Sequence, residues 1–245
     1  MLGARIYVRR GRKEEGERPF WISFSDLMTA LMVVFLLVMS VALLSVTKEV
    51  TAKEKAEAKR RQDIKQLLQQ LKDATSQEIF SGVTVHDDIE NPYIDFGSRA
   101  TFSLDRSNLT TDQAKLLRAF VPEILAKADS EIGRAWFRQV IVEGYTDSTG
   151  TYLHNLNLSL QRSERVVCAL LEALPASEFP LMTKEKAQVR KLFLVGGYSS
   201  NSAKADPASS RRIELKLRFW ELNDPERHSQ TEEAGAESDV GNCAL

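Results

Sequence analysis

The chain has 245 residues, with 33 Lys and Arg against 34 Asp and Glu, a formal net charge of −1, and 43% hydrophobic residues. That length holds one membrane segment and one compact domain of ordinary size, and without a basic excess no nucleic-acid partner is expected. Three scattered histidines (His86, His154, His228) offer no zinc cluster, and two cysteines (Cys168, Cys243) are too few for a disulfide scaffold.

Residues 1–19 are a basic segment, and the apolar string FWISFSDLMTALMVVFLLVMSVALLSV follows. Its uncharged part, Leu27 to Thr47, is 21 residues long, which as a helix covers roughly 30 Å, the thickness of a bilayer core. A signal peptide would show a shorter apolar stretch of about 7–15 residues ahead of a small-residue cleavage site. Ser40-Val41-Ala42 has the small-x-small form but sits inside the run. We therefore read residues 20–47 as a transmembrane helix. Arg5, Arg9, Arg10, Arg12, Lys13 and Arg18 precede it, and Lys48, Lys53, Lys55, Lys59, Arg60 and Arg61 follow. The positive-inside rule therefore does not choose an orientation.

Asp26 is the one acid of this string. On a helix, Thr29, Ala30, Val33, Leu37, Ser40 and Leu44 fall on its side. Polar side chains in membrane helices face partner helices or wet cavities. Two readings follow: an interfacial cap beside Phe20 and Trp21, or a carboxylate that takes up and releases a cation. Residues 20–32, FWISFSDLMTALM, resemble the start of the B subunits of ion-driven rotary motors. These are the MotB stator family and, more nearly, the ZorB proteins of Zorya anti-phage systems. The resemblance implies that Asp26 is the ion carrier; Thr29 and Ser40, the polar residues of its stripe, are then candidates to line the path. It also implies a homodimer and a polytopic A-type (MotA- or ZorA-like) partner, because one span cannot make a pore. The cargo is a proton or a sodium ion, and no other cofactor is implied. A proton crossing 100 mV gains about 2.3 kcal/mol, enough to couple protonation to a helix rearrangement.

Residues 48–78 contain no Gly or Pro and are rich in good helix formers. Ile64, Leu67, Leu68 and Leu71 form a heptad-like stripe. We take it as a dimer contact, with packing against its own domain as the alternative.

Residues 79–222 alternate strand and helix. Tyr93–Phe96 reads as a strand. Thr111–Ala128 reads as a helix capped by Thr110 or Thr111, with Leu116, Leu117, Phe120, Val121 and Leu125 inward. Phe137–Gly144 is a strand. Asn155–Leu174 is a helix with Leu160, Val167, Leu170, Leu171 and Leu174 as its buried stripe. Cys168 falls in it as a small buried hydrophobe. Leu192–Gly196 and Arg212–Trp220 are strands, the last with Ile213, Leu215, Leu217 and Phe219 on one face. The expected fold is an α/β sandwich with helices covering a sheet.

Gly144, Tyr145, Thr146 and Asp147, then Asn155, Leu158, Ser159 and Arg162, stand at the spacing of the OmpA-like peptidoglycan-binding domain, which this region resembles. Arg211-Arg212 match the late basic pair of that family, although Ser210 stands where it usually has Asn. The resemblance implies a peptidoglycan site of Thr146, Asp147, Asn155, Leu158, Arg162, Arg211 and Arg212, with Tyr145 and Tyr152 at the rim. A stem-peptide diamino acid carries an ammonium and a free carboxylate. Asp147 would accept from the first and Arg162 would donate to the second. The rival reading is an Asp147–Arg162 surface ion pair, worth about 0–1 kcal/mol.

A wall binder faces the periplasm, so the N-terminus lies in the cytoplasm and the chain crosses the inner membrane once. Residues 223–245 carry six acids and one Arg and read as a disordered tail. A bond from Cys243 in this tail to Cys168 is not expected. The whole reads as a wall-anchored motor subunit of the ZorB kind; the rivals are a flagellar MotB-type stator subunit and a passive wall-to-membrane tether. No nucleophile–base pair or paired acids suggest an enzyme.

Overall fold

The computed structural model describes residues 18–172, 180–225 and 243, in two units that divide between Lys55 and Ala56. Residues 1–17 and nearly all of the acidic tail lie outside the described residues, as does Leu174.

Helix α1 runs Arg18–Ala74. Pro19 is tolerated in its first turn, where amide groups have no helical acceptor, and no Gly or Pro follows to interrupt it. In the first unit, residues 23–50 are all exposed. The stretch is apolar enough to cross a membrane, with a mean hydropathy of 2.8 in its best window and none of that window buried.

The second unit begins within the same helix, not at residue 79. Ile64, Leu67, Leu68 and Leu71 are at most 1% exposed and belong to the core of their own domain. This corrects the assignment of that stripe to a dimer contact: its apolar surface is already covered within the chain. Polar anchors hold the same segment, since Arg60 Nε donates to the Trp220 carbonyl (2.7 Å) and Trp136 Nε1 donates to Asp63 (3.0 Å).

The remaining elements are β1 (Thr84–His86), β2 (Tyr93–Asp95), α2 (Thr111–Ala128), α3 (Glu131–Trp136), β3 (Phe137–Gly144), α4 (Tyr152–Leu171), α5 (Thr183–Leu192), β4 (Phe193–Gly197), α6 (Pro207–Ser210) and β5 (Ile213–Phe219). The sheet order is β1-β2-β5-β3-β4. β3 and β4 are parallel, joined through α4 and α5, and the other pairs are antiparallel. Val140, Val142, Ile213, Leu215 and Leu217, all at most 1% exposed, turn one sheet face to the helices, as the period of two requires. Phe120 of α2 meets Phe80 and Phe96 edge-on at 5.0 and 5.7 Å. A capping box formed by Thr110 and Gln113 fixes where α2 starts.

α4 departs from expectation. It opens at Tyr152 on the N-cap Thr151. Leu160 is exposed, and the inward line is Asn155, Leu158, Ser159, Arg162, Ser163, Val166, Ala169 and Leu170. The reason is a close approach of backbones. A Cβ on Gly144 would fall on the Ser159 carbonyl oxygen, so the helix presses polar residues against the strand ends. Ser163 Oγ donates to the Gly196 carbonyl (3.0 Å), and Ser159 Oγ accepts from the Ser199 amide (3.0 Å). Cys168 is only half-buried and is joined to Cys243 as a disulfide, with Cα atoms 5.7 Å apart. This corrects the expectation of unpaired thiols. The half-buried side of α4 is accessible, and the 18 residues 226–243 that follow Pro225 are long enough to span up to roughly 60 Å.

Candidate functional site

In the first unit the polar side chains are few and use their own backbone. Thr29 Oγ1 donates to the carbonyls of Ser25 (3.0 Å) and Asp26 (2.9 Å), and Ser40 Oγ donates to that of Leu36 (2.7 Å). Such bonds satisfy a hydroxyl in an apolar setting. Asp26 is exposed amid apolar neighbours, and no hydrogen bond holds its carboxylate among the described residues.

The second unit holds a cavity of about 280 Å³ where the β3–α4 loop, the start of α4, the loop before α2 and the approach to β5 converge. Of the residues named from sequence, Thr146, Asp147, Asn155, Leu158, Arg162 and Arg211 line it. Arg162 is fully buried. Its Nε donates to the Arg106 carbonyl (3.0 Å), and its terminal nitrogens donate to the carbonyls of Tyr145 (2.6 Å) and Ser103 (3.3 Å). Its guanidinium also sits 4.9 Å from the Phe102 ring centre. Asp147 does not pair with Arg162. One oxygen accepts from the Thr149 amide (3.0 Å) and the other from Arg211 (2.8 Å). Asn155 Nδ2 donates to the Asp147 carbonyl (3.4 Å). The Thr146 hydroxyl is buried and has no hydrogen-bond partner among the described residues.

Charge follows from this packing. Burial works to raise the Asp147 carboxyl, but the Arg211 guanidinium and the Thr149 amide outweigh it, and the group titrates below the usual carboxylate range. Burial, with Arg211 nearby, lowers Arg162 to about 10, against the opposing pull of Asp147 and Asp105. Arg162 stays a cation at neutral pH, held by carbonyl dipoles without a carboxylate in contact.

Three residues named from sequence lie elsewhere. Arg212 is a correction: it stands just before β5 and outside the cavity lining, where its Nε donates to Glu214 (2.6 Å) and its guanidinium lies 4.3 Å from the Tyr145 ring centre. Tyr145 is buried and donates its hydroxyl to Glu143 (2.6 Å), and burial with that carboxylate pushes its phenol upward. Tyr152 is exposed and outside the cavity lining. Conversely, Leu104, Asp105, Thr149, Gly150 and His154 line the cavity and were not singled out from sequence. His154 directly precedes Asn155 in the motif and could have been found there. Leu104 and Asp105 carry no such signal.

Comparison with known proteins adds three findings. The family described as "Membrane MotB of proton-channel complex MotA/MotB" matches residues 8–58. The Zorya protein ZorB of Escherichia coli O139:H28 is 41% identical over 224 residues, covering 91% of this chain and 90% of that protein. Among solved structures, a putative MotB-like protein from Desulfovibrio vulgaris overlaps with a TM-score of 0.43 at 15% identity, over 69% of this chain and 99% of that one. The OmpA-like domain of FopA1 from Francisella tularensis overlaps at 0.36 and 18% identity, over 57% of this chain and 83% of that one.

Proposed function

The chain belongs to the ZorB family, and on that premise we propose that it is the wall-anchored B subunit of a proton-driven rotary membrane motor serving anti-phage defence. The coarser part, a stator-type B subunit with a peptidoglycan-binding domain, follows from 41% identity along nearly the whole chain. In the finer part, Asp26 carries the ion, and Thr29 and Ser40 face the path it takes. The helices of an A-type subunit enclose the acid, and a second copy of this chain completes the core. The carboxylate is then shielded from bulk water, where it takes up and releases the ion that crosses the membrane. The soluble domain lies in the periplasm and holds peptidoglycan in the cavity around Arg162. The disulfide between Cys168 and Cys243 supports that orientation, because such bonds persist in oxidising compartments.

The observation that carries the motor reading is the lone acid of an exposed apolar helix. Asp26→Asn keeps the side-chain shape and removes titration. In cells expressing both subunits, phage protection and ion flux should fall to background while the complex still purifies intact. Retained protection would leave only a passive tether between membrane and wall.

A further inference from the structure

We propose that Glu143 is a positioning residue for the wall site: from the sheet face opposite the helices it holds the rings of Tyr145 and Tyr198, and through Tyr145 it sets the course of the chain that carries Thr146 into the cavity and receives Arg162. The proposal rests on the peptidoglycan reading above and adds to it a brace that lies outside the cavity lining.

Glu143 is out of place by ordinary rules. It is 2% exposed and stands in β3 directly opposite Glu214, which is 7% exposed. Two acids so placed destabilise a sheet when both are ionised, and a buried carboxyl is costly unless its oxygens are bonded. Glu214 is matched by Arg212 Nε at 2.6 Å. Glu143 is matched only in part. Its Oε2 accepts from the Tyr145 hydroxyl (2.6 Å), whereas Oε1 has no hydrogen bond among the described residues and lies 3.7 Å from Lys216 Nζ. Val140 and Val142 point to the helices, so the period of two turns Glu143 to the other face. Tyr198 comes to the same face: a Cβ on Gly196 would lie 3.0 Å from its ring. The Tyr145 and Tyr198 ring centres are 5.5 Å apart, and the Arg212 guanidinium covers Tyr145 at 4.3 Å. Burial, and after it the Glu143 carboxyl, push the Tyr198 phenol up to about 12. The same two causes push the Tyr145 phenol upward, so both hydroxyls keep a proton to donate at neutral pH.

The brace meets the site through the backbone. The Tyr145 carbonyl takes the shortest of the three Arg162 bonds (2.6 Å). The next residue, Thr146, lines the cavity with a buried hydroxyl that has no hydrogen-bond partner among the described residues. The Tyr145 amide donates to the Arg212 carbonyl, the Tyr198 amide to the Gly144 carbonyl and the Thr146 amide to the Ser199 carbonyl, each at 3.0 Å. One short stretch of chain is therefore gripped from the helix side by Arg162 and from the open side by Glu143. A stretch held from one side only is free to shift by the fraction of an ångström that weakens binding. An apolar residue at 143 would be buried at lower cost, but it would leave the Tyr145 hydroxyl without its acceptor.

The test uses the detergent-solubilised full chain and, as probe, a soluble muropeptide released from sacculi whose stem peptide ends in a diamino acid. Affinity is measured well below the unfolding temperature of every variant. Tyr145→Phe removes one hydroxyl, and Glu143→Met removes its acceptor at similar volume. Each should bind the muropeptide roughly fivefold to tenfold more weakly than wild type, the net scale of one hydrogen bond. The double variant should bind as weakly as either alone, because the two residues act along one route. Leu68→Ala, in the core and outside the cavity lining, should lower the unfolding temperature and leave affinity unchanged. A purely structural Glu143 would behave as Leu68→Ala does; Glu143→Met and Tyr145→Phe with wild-type affinity overturn the proposal and leave the wall reading standing. Losses that multiply in the double variant overturn it as well, because the two residues would then act separately. Should Glu143→Met not fold, Tyr198→Phe replaces it in the cycle, with the same expected and overturning results. If wild type binds neither the muropeptide nor sacculi, the wall reading falls and the positioning role falls with it.

Discussion

Asp26 and Arg162 are both charged groups set among apolar neighbours, and they are handled in opposite ways. Around Asp26 the helix offers nothing: its hydroxyl neighbours spend their hydrogens on their own carbonyls, and the apolar side chains on every side of the helix are exposed. Around Arg162 the domain supplies three carbonyl acceptors, an aromatic ring and full burial. The first group has no hydrogen-bond partner among the described residues; the second is fully partnered within its own fold. If Asp26 carries the ion as proposed, the site that must change charge is the one left for a partner to finish, whereas the site that keeps its charge is built in.

The largest expected effect breaks this contrast if it fails. Arg162→Ala removes the guanidinium that donates to the carbonyls of Tyr145, Ser103 and Arg106 and opens a gap beside Phe102. It should destabilise the soluble domain by about 3–5 kcal/mol and abolish co-sedimentation with sacculi. Lys should not rescue it, because one ammonium cannot reach three divergent acceptors. Asp26→Asn should leave thermal unfolding of the isolated chain unchanged, since nothing in the chain depends on that carboxylate. Equal stability losses in the two variants would show that both sites are finished internally.

Much of the fold was legible because local rules and global packing agree. The limits of α2 and β3 follow from a capping sequence and from hydrophobic period, and Thr111–Ala128 and Phe137–Gly144 coincide with the observed bounds. β1 was not legible, being three residues with only Val85 buried, and neither was α5, where Val189 is the one buried residue. On α4, Val167, Leu170 and Leu171 pack on the core as expected, but Leu160 is exposed and the first half of the inward face was missed, because a hydrophobic period cannot register buried serines, an asparagine and an arginine. In the cavity, the residues from Thr146 to Arg162 lie in one motif and were visible together. Asp105 was not: it reaches the site across 57 residues through backbone carbonyls that bind Arg162, and carbonyls carry no sequence signal.

A smaller effect sharpens the boundary between the two regions within α1. Leu68→Ala removes a fully buried side chain and should cost about 2–5 kcal/mol, independent of protein concentration because its contacts lie within one chain. Leu37→Ala, on the exposed apolar stretch, should leave unfolding of the soluble domain unchanged. A concentration-dependent loss at Leu68 would restore the stripe as a dimer contact.

The smallest expected effect concerns the ion pair that completes the cavity. Asp147 titrates below the usual carboxylate range in the folded chain, burial being outweighed by Arg211 and Thr149. A carboxyl depressed on folding binds fewer protons folded than unfolded, so its contribution is present above the unfolded value of about 3.9 and disappears as pH falls through the folded value. Comparing wild type with Asp147→Asn isolates this group from the other acids. The unfolding free energies should differ by about 1 kcal/mol at neutral pH, the net scale of one hydrogen bond within a largely buried pair. The gap should hold down to about pH 5 and close below roughly pH 4. A gap that widened on acidification would mean that Asp147 is protonated more readily folded than unfolded. Arg211 would then not neutralise it.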